Sequence, residues 1–186
     1  MKEIDVYKVL EGKNPKLARR VPRFVVDYLR RTIHEREVNE ILARFGDLEG
    51  IAFVRAALGY MNVRYHSVGM ERLNPEGRYV FASNHPFGGM DGLMLADEVA
   101  RYFGDVRVVV NDLLMYLGPL RGLFVPVNKH GRQDAGSVEA FNNAFASDVP
   151  IVTFPAGLCS RRRRGVVRDL EWKPIFVKKA AAYGRD

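Results

Sequence analysis

The stretch VFASNHPFGGMDG, residues 80–92, sets His85 six residues before Asp91, with Gly88 and Gly89 between them. An imidazole, with an ordinary pKa near ~6.5, can take a proton from a hydroxyl that otherwise attacks carbonyl compounds poorly at neutral pH. A carboxylate on its other nitrogen fixes the tautomer and stabilises the imidazolium. The same two residues have plainer readings, His85 as a turn histidine bonded to a carbonyl and Asp91 as a helix N-cap. No G-x-S-x-G elbow offers a covalent serine, so a catalytic pair here would act on a hydroxyl belonging to a substrate.

Such a pair works only if the surrounding elements hold it in place. YVFAS runs out at Ser83, Pro86 prevents the strand from continuing, and Gly88-Gly89 lets the chain turn sharply into a helix. VRVVV, LFVPV and IVTF are equally short, apolar and β-branched, and they alternate with helical stretches near residues 92–103 and 137–146. The pattern predicts an α/β fold, a mostly parallel sheet covered by helices. In such sheets ligands gather beyond the carboxyl ends of the strands, where His85 falls. NVRYHSV, residues 62–68, reads as a further strand at the entry to this α/β domain, which takes in residues 62–186.

Residues 1–61 read as an N-terminal helical segment. Leu17, Val21, Phe24, Val25, Tyr28, Leu29 and Ile33 recur at three- and four-residue steps among Lys16, Arg19, Arg20, Arg23, Arg30 and Arg31, an amphipathic basic helix whose regular part starts near Pro22. Its charged face is either simply solvated or laid on an acidic membrane surface. A second helix is expected over residues 35–45, ending at Gly46, and a third from Asp47 as its cap through Leu58.

The formal charge of +7 favours anionic partners: nucleic acid, an acidic membrane, a phosphorylated metabolite or an acidic carrier protein. No nucleic-acid-binding module is recognisable, so nucleic acid is not an expected partner. SRRRRG, residues 160–165, is either a solvated loop or a grip on an anionic group. Cys159 is the single cysteine, so there is no internal disulfide, and no cysteine–histidine cluster has zinc-ligand spacing. No signal peptide and no apolar run of ~18 residues is visible, which points to a cytoplasmic protein.

NHPFGGMD resembles the N-H-x-x-x-x-D block of the glycerolipid acyltransferases, which acylate glycerol phosphate and lysophosphatidic acid. GLFVPVN, residues 122–128, resembles their second block, and FPAGLCSRR, residues 154–162, their third, F-P-E-G-T-R-S. Three departures stand out: the His-to-Asp gap is one residue longer, Ala156 replaces the glutamate, and Val127 stands where a basic residue is usual. With WKPIFVKKAA downstream these resemble the haemolysin-like branch, which includes bacterial enzymes that O-acylate lyso-forms of amino-acid lipids.

The resemblance implies an O-acyltransferase with His85 as general base and Asp91 as its orienting partner. Asn84, Gly88 and Gly89 would sit at the same substrate site, Gly122 and Phe124 would shape the acceptor pocket, and Phe154, Pro155 and Gly157 would wall the donor or acceptor head. Lys129 and Arg161 would take an anionic group. The donor would be an acyl carrier protein or coenzyme A thioester and the acceptor a lyso-lipid, either a lyso-amino-acid lipid or lysophosphatidic acid. No metal or other cofactor is expected, and the protein would work peripherally on the inner, acidic membrane surface. A relative that binds membranes without turnover is the alternative, and a protein that binds nucleic acid through its basic helix and arginine run is a more remote one. KKAAAYGRD ends the chain on a helix expected over residues 174–183, where a βαβ pattern wants another strand, so either the sequence is C-terminally incomplete, the favoured reading, or the fold closes with fewer strands than its relatives.

Overall fold

The structure is a computed structural model that describes residues 3–127 and 135–186. Five helices come first: α1 (Val6–Lys13), α2 (Pro15–Ala18), α3 (Arg23–Thr32), α4 (Glu35–Phe45) and α5 (Gly50–Tyr60). α1 was not foreseen; its start is marked by Asp5, whose side chain accepts from the Tyr7 and Lys8 amides. The basic amphipathic stretch is two helices rather than one, because Pro22, in extended geometry, caps α3 and separates it from α2. Asp47 does not cap α5. Glu49 holds that position without a side-chain bond, and Gly50 at φ 59 starts the helix.

The sheet contains β1 (Val80–Ala82), β2 (Arg107–Asn111), β3 (Phe124–Val127) and β4 (Ile151–Thr153) in the order β1-β4-β2-β3, with every pair parallel. Parallel neighbours need crossovers. α6 (Gly89–Phe103) carries β1 to β2, α7 (Ala135–Ala146) precedes β4, and two short 3-10 turns at residues 112–116 and 118–120 link β2 to β3. Central β4 is buried along its whole length, with Ile151 and Val152 fully enclosed, which stabilises the fold by roughly 1.5–3 kcal/mol per side chain. The helical preface shares this core: Ile41 and Leu42 of α4 and Phe53, Val54, Ala57 and Leu58 of α5 belong to one buried cluster with Val99, Val108 and Val152.

Residues 62–68 are not a strand. They lie across α6, held by side chains instead of a ladder: Tyr65 donates to Asp97 at 2.5 Å and Ser67 to Glu98, which also pairs with Arg101. Burial, and then the hydrogen bond to Asp97, pushes the Tyr65 phenol well above its ordinary range.

After β4 the arginine run forms a hairpin, not an irregular loop. β5 (Arg161–Arg163) pairs antiparallel with β6 (Val166–Arg168), and Arg164 and Gly165 take φ 50 and 83, the positive pair that a two-residue type I′ turn demands. α8 (Ile175–Tyr183) then returns the chain to the sheet. There the Asp186 amide donates to Arg78 O at 2.9 Å and the Val80 amide to Asp186 O at 2.7 Å, a parallel-type pairing on the outer edge of β1.

Beside that edge two guanidinium groups close the end of α7. Arg185, 6% exposed, donates to the carbonyls of Ala144, Phe145, Ser147, Tyr79 and Val149, and Arg78 to those of Phe145, Ala146, Ser147 and Tyr183. The last carbonyls of a helix have no partner of their own and carry its negative dipole end, so cations suit them.

Candidate active site

β1 delivers His85 to the carboxyl edge of the sheet. The Ser83 amide still bonds Thr153 O at 3.1 Å, after which Pro86 ends the ladder. Gly88, at φ 66 and ψ −129, occupies backbone space closed to side chains, and a Cβ there would also stand 3.2 Å from Cys159 Sγ. This turn places Asp91 in the first turn of α6, with its carboxylate pointing back over the loop. Asp91 Oδ2 accepts from the Phe87 amide at 2.8 Å and stands 3.1 Å from His85 Nδ1. The distance is that of an ion pair, but the angle falls short of a hydrogen bond, so Nδ1 has no well-aligned partner. Asp91 is therefore not the helix cap, a position that Gly88 holds.

The imidazole lies flat on Phe154, with ring centroids 4.1 Å apart at 29°. Its side chain is 18% exposed and that of Asp91 10%, so the pair is sheltered yet open to a reactant. With Nδ1 turned to the carboxylate, Nε2 is the nitrogen left to take a proton.

Sequence reading missed the groups that hold the His85 backbone. Asp169 Oδ1 accepts from the His85 amide at 3.3 Å and from Ser160 Oγ, while Oδ2 accepts from Trp172 Nε1 at 2.8 Å. The Ser160 amide donates to His85 O at 2.8 Å. Burial alone would raise the Asp169 carboxyl; the bonds from Ser160, Trp172 and His85 outweigh it and hold the group below its ordinary value. One signal was available, since a two-residue Arg-Gly turn folds residue 169 back beside residue 160.

Asn84, His85, Gly88, Gly89, Asp91, Phe154, Pro155 and Gly157 share the carboxyl end of β1 and β4, and Arg161 starts β5 beside them. Pro155 is buried, and Gly157, at φ 66, turns the chain with its amide on Phe154 O at 2.8 Å. Gly122 and Phe124 do not join them. Through Val108 and Val152, Phe124 is level with Phe81, four residues short of His85, roughly 13 Å along the strand direction and three strands away. Gly122 precedes β3 and lines a cleft at the amino end of the sheet with Glu49, Arg107 and Arg121. β3 runs parallel to β1, so the start of its motif points away from the site. Lys129, with His130 and Arg132, lies outside the described residues. Among the described residues no cluster of His, Cys, Asp or Glu could hold a metal, and no helix is long and apolar enough to cross a membrane.

A family model described as Acyltransferase matches residues 8–186. Curated proteins similar to this chain include the lyso-glycine lipid O-acyltransferases of Bacteroides thetaiotaomicron, 44% identical, and Phocaeicola vulgatus, 41% identical, each over 184 residues. Those matches take in 98% of this chain and 68% and 66% of the two relatives, so it spans about two thirds of their length.

Proposed function

This chain belongs to the acyltransferase family, and we propose that it moves a fatty acyl group from a thioester to the hydroxyl of a lyso-lipid, a lyso-glycine lipid by analogy with its relatives. The observation that carries the mechanism is the imidazole set between Asp91 and Phe154 at the edge of the sheet. His85 Nε2 takes the hydroxyl proton as the oxygen attacks the thioester carbonyl. The tetrahedral intermediate collapses with cleavage of the C–S bond, and the imidazolium returns its proton to the leaving thiolate. Asp91 steadies the cationic ring while it exists. Amides at the very start of α6, at the positive end of its dipole, suit the developing oxyanion. The donor is an acyl carrier protein or coenzyme A thioester.

Contact with a membrane belongs to the same proposal. On α3, Phe24 is 74% and Tyr28 67% exposed, one helical turn apart and flanked by Arg23 and Arg31, a combination that suits an acidic lipid interface.

The test supplies acyl carrier thioester or acyl coenzyme A with lyso-glycine lipid to the wild type and to His85→Ala, following ester formation by mass spectrometry. The substitution should cost about 10²–10⁴-fold in turnover with an unchanged melting temperature. Turnover undiminished in His85→Ala would remove the histidine from the mechanism. The second reading, a lipid-binding relative without turnover, is favoured by buried Ala156 at the place of the family's glutamate. It would show as binding to anionic vesicles with no ester formed by the wild type.

A further inference from the structure

We propose that the arginine face of the β5–β6 hairpin binds the phosphate end of the phosphopantetheine thioester that donates the acyl group, an inference that rests on the acyl-transfer reading above. Alternation along a strand puts Arg161 and Arg163 on one face, and the register sets Arg168 directly opposite Arg161. Arg162 and Val167 take the other face. Arg161, Arg163 and Arg168, with Arg164 from the turn and with Val166, Asp169 and Leu170, line a surface hollow of about 520 Å³. Like charges set directly across a ladder repel. Among the described residues no carboxylate pairs with Arg161, Arg163, Arg164 or Arg168, and Asp169 on the rim is already occupied by Ser160, Trp172 and the His85 amide. A phosphate would relieve the repulsion and take the bidentate bonds that guanidinium offers.

Location ties this hollow to the reaction. β5 starts one residue after Ser160 and β6 ends one residue before Asp169, and those two residues bond the carbonyl and the amide of His85. The hairpin is thus rooted on both sides in the peptide groups of the histidine, and its tip lies about four extended residues, roughly 13 Å, from that root. A pantetheine arm bridges such a gap, with the phosphate on the arginines and the thioester near the imidazole. The hollow is concave, and four of its seven lining residues are arginines beside the apolar side chains of Val166 and Leu170, which suits a phosphate joined to a pantetheine arm better than a flat bilayer.

Equilibrium binding tests this without relying on turnover. The probes are coenzyme A against pantetheine, and holo- against apo-carrier protein, presented to the wild type, Arg163→Ala/Arg168→Ala and Arg163→Lys/Arg168→Lys. The wild type should prefer a phosphorylated probe by about 10–100-fold, less at high salt. The preference should collapse in the alanine pair and survive in part in the lysine pair. Preference within the first probe pair names the free coenzyme as the source, within the second the carrier protein. Equal binding of both members of each pair to the wild type overturns the proposal. So does a preference that persists in the alanine pair, or an alanine pair that loses only its binding to phosphatidylglycerol vesicles. Should the preference hold while lyso-lipid is never acylated, the acyl-transfer reading fails and the phosphate site stands.

Discussion

Two arginine groups in this molecule have opposite fates. Arg78 and Arg185 are drawn into the fold, their donors spent on the closing carbonyls of α7 and its neighbours, and burial holds the Arg185 guanidinium below its ordinary pKa, with the nearby Arg78 charge second. Arg161, Arg163, Arg164 and Arg168 stand in solvent on a two-stranded ribbon with no such partners among the described residues. The residue type is the same, and the difference is whether the chain supplies the acceptor. Where it does, arginine is part of the architecture; where it does not, the acceptor must come from outside.

The contrast breaks most directly at Arg185. Arg185→Ala strands several buried carbonyls and should cost about 3 kcal/mol in urea unfolding, since each buried polar group left unpaired costs ~1–3 kcal/mol. A loss below about 1 kcal/mol would erase the distinction between the two groups. On the hairpin the backbone matters more than the charges. Gly165→Ala, forced to φ 83 with no atom within 4 Å of the new methyl, should cost about 1–2 kcal/mol from strain alone, read in the same assay. Arg163→Ala/Arg168→Ala should change stability by no more than about 0.5 kcal/mol, towards stabilisation at low salt and towards zero at high salt.

The smallest effect is acid dependence at the root of the ribbon. Because the folded state holds the Asp169 carboxyl below its ordinary value, its contribution is complete above the usual carboxylate range, near ~4, and fades as pH falls through the depressed folded-state value. Asp169→Asn should therefore flatten the acid limb of the stability curve and leave the slope at neutral pH unaltered. An unchanged acid limb would mean that this carboxylate does not secure the hairpin.

Much of the frame was readable in advance for a physical reason. Strands of a parallel sheet covered by helices carry apolar residues on both faces, which is why VFA, RVVVN, FVPV and IVT stood out among helical stretches. His85 and Asp91 were legible because the glycine turn between them is local. The order of the blocks did not carry their direction: Gly122 opens β3, and in a parallel sheet only residues beyond the carboxyl end of a strand reach the ligand edge. Residues 62–68 misled because apolar alternation looks alike whether a segment pairs with a strand or leans on a helix. Its partners, Asp97 and Glu98, lie about thirty residues away in the chain. Asp169 escaped because the Arg-Gly turn signals only the fold-back, while its task depends on three donors that no spacing announces.

The ring of Phe154 separates the imidazole from α6 at Gly92, where an added Cβ would come within 3.9 Å of the phenyl edge. The aromatic thus acts as a shim of fixed thickness, and bare backbone behind it sets the depth at which the imidazole can sit. A methyl group there would meet the ring at an ordinary van der Waals distance.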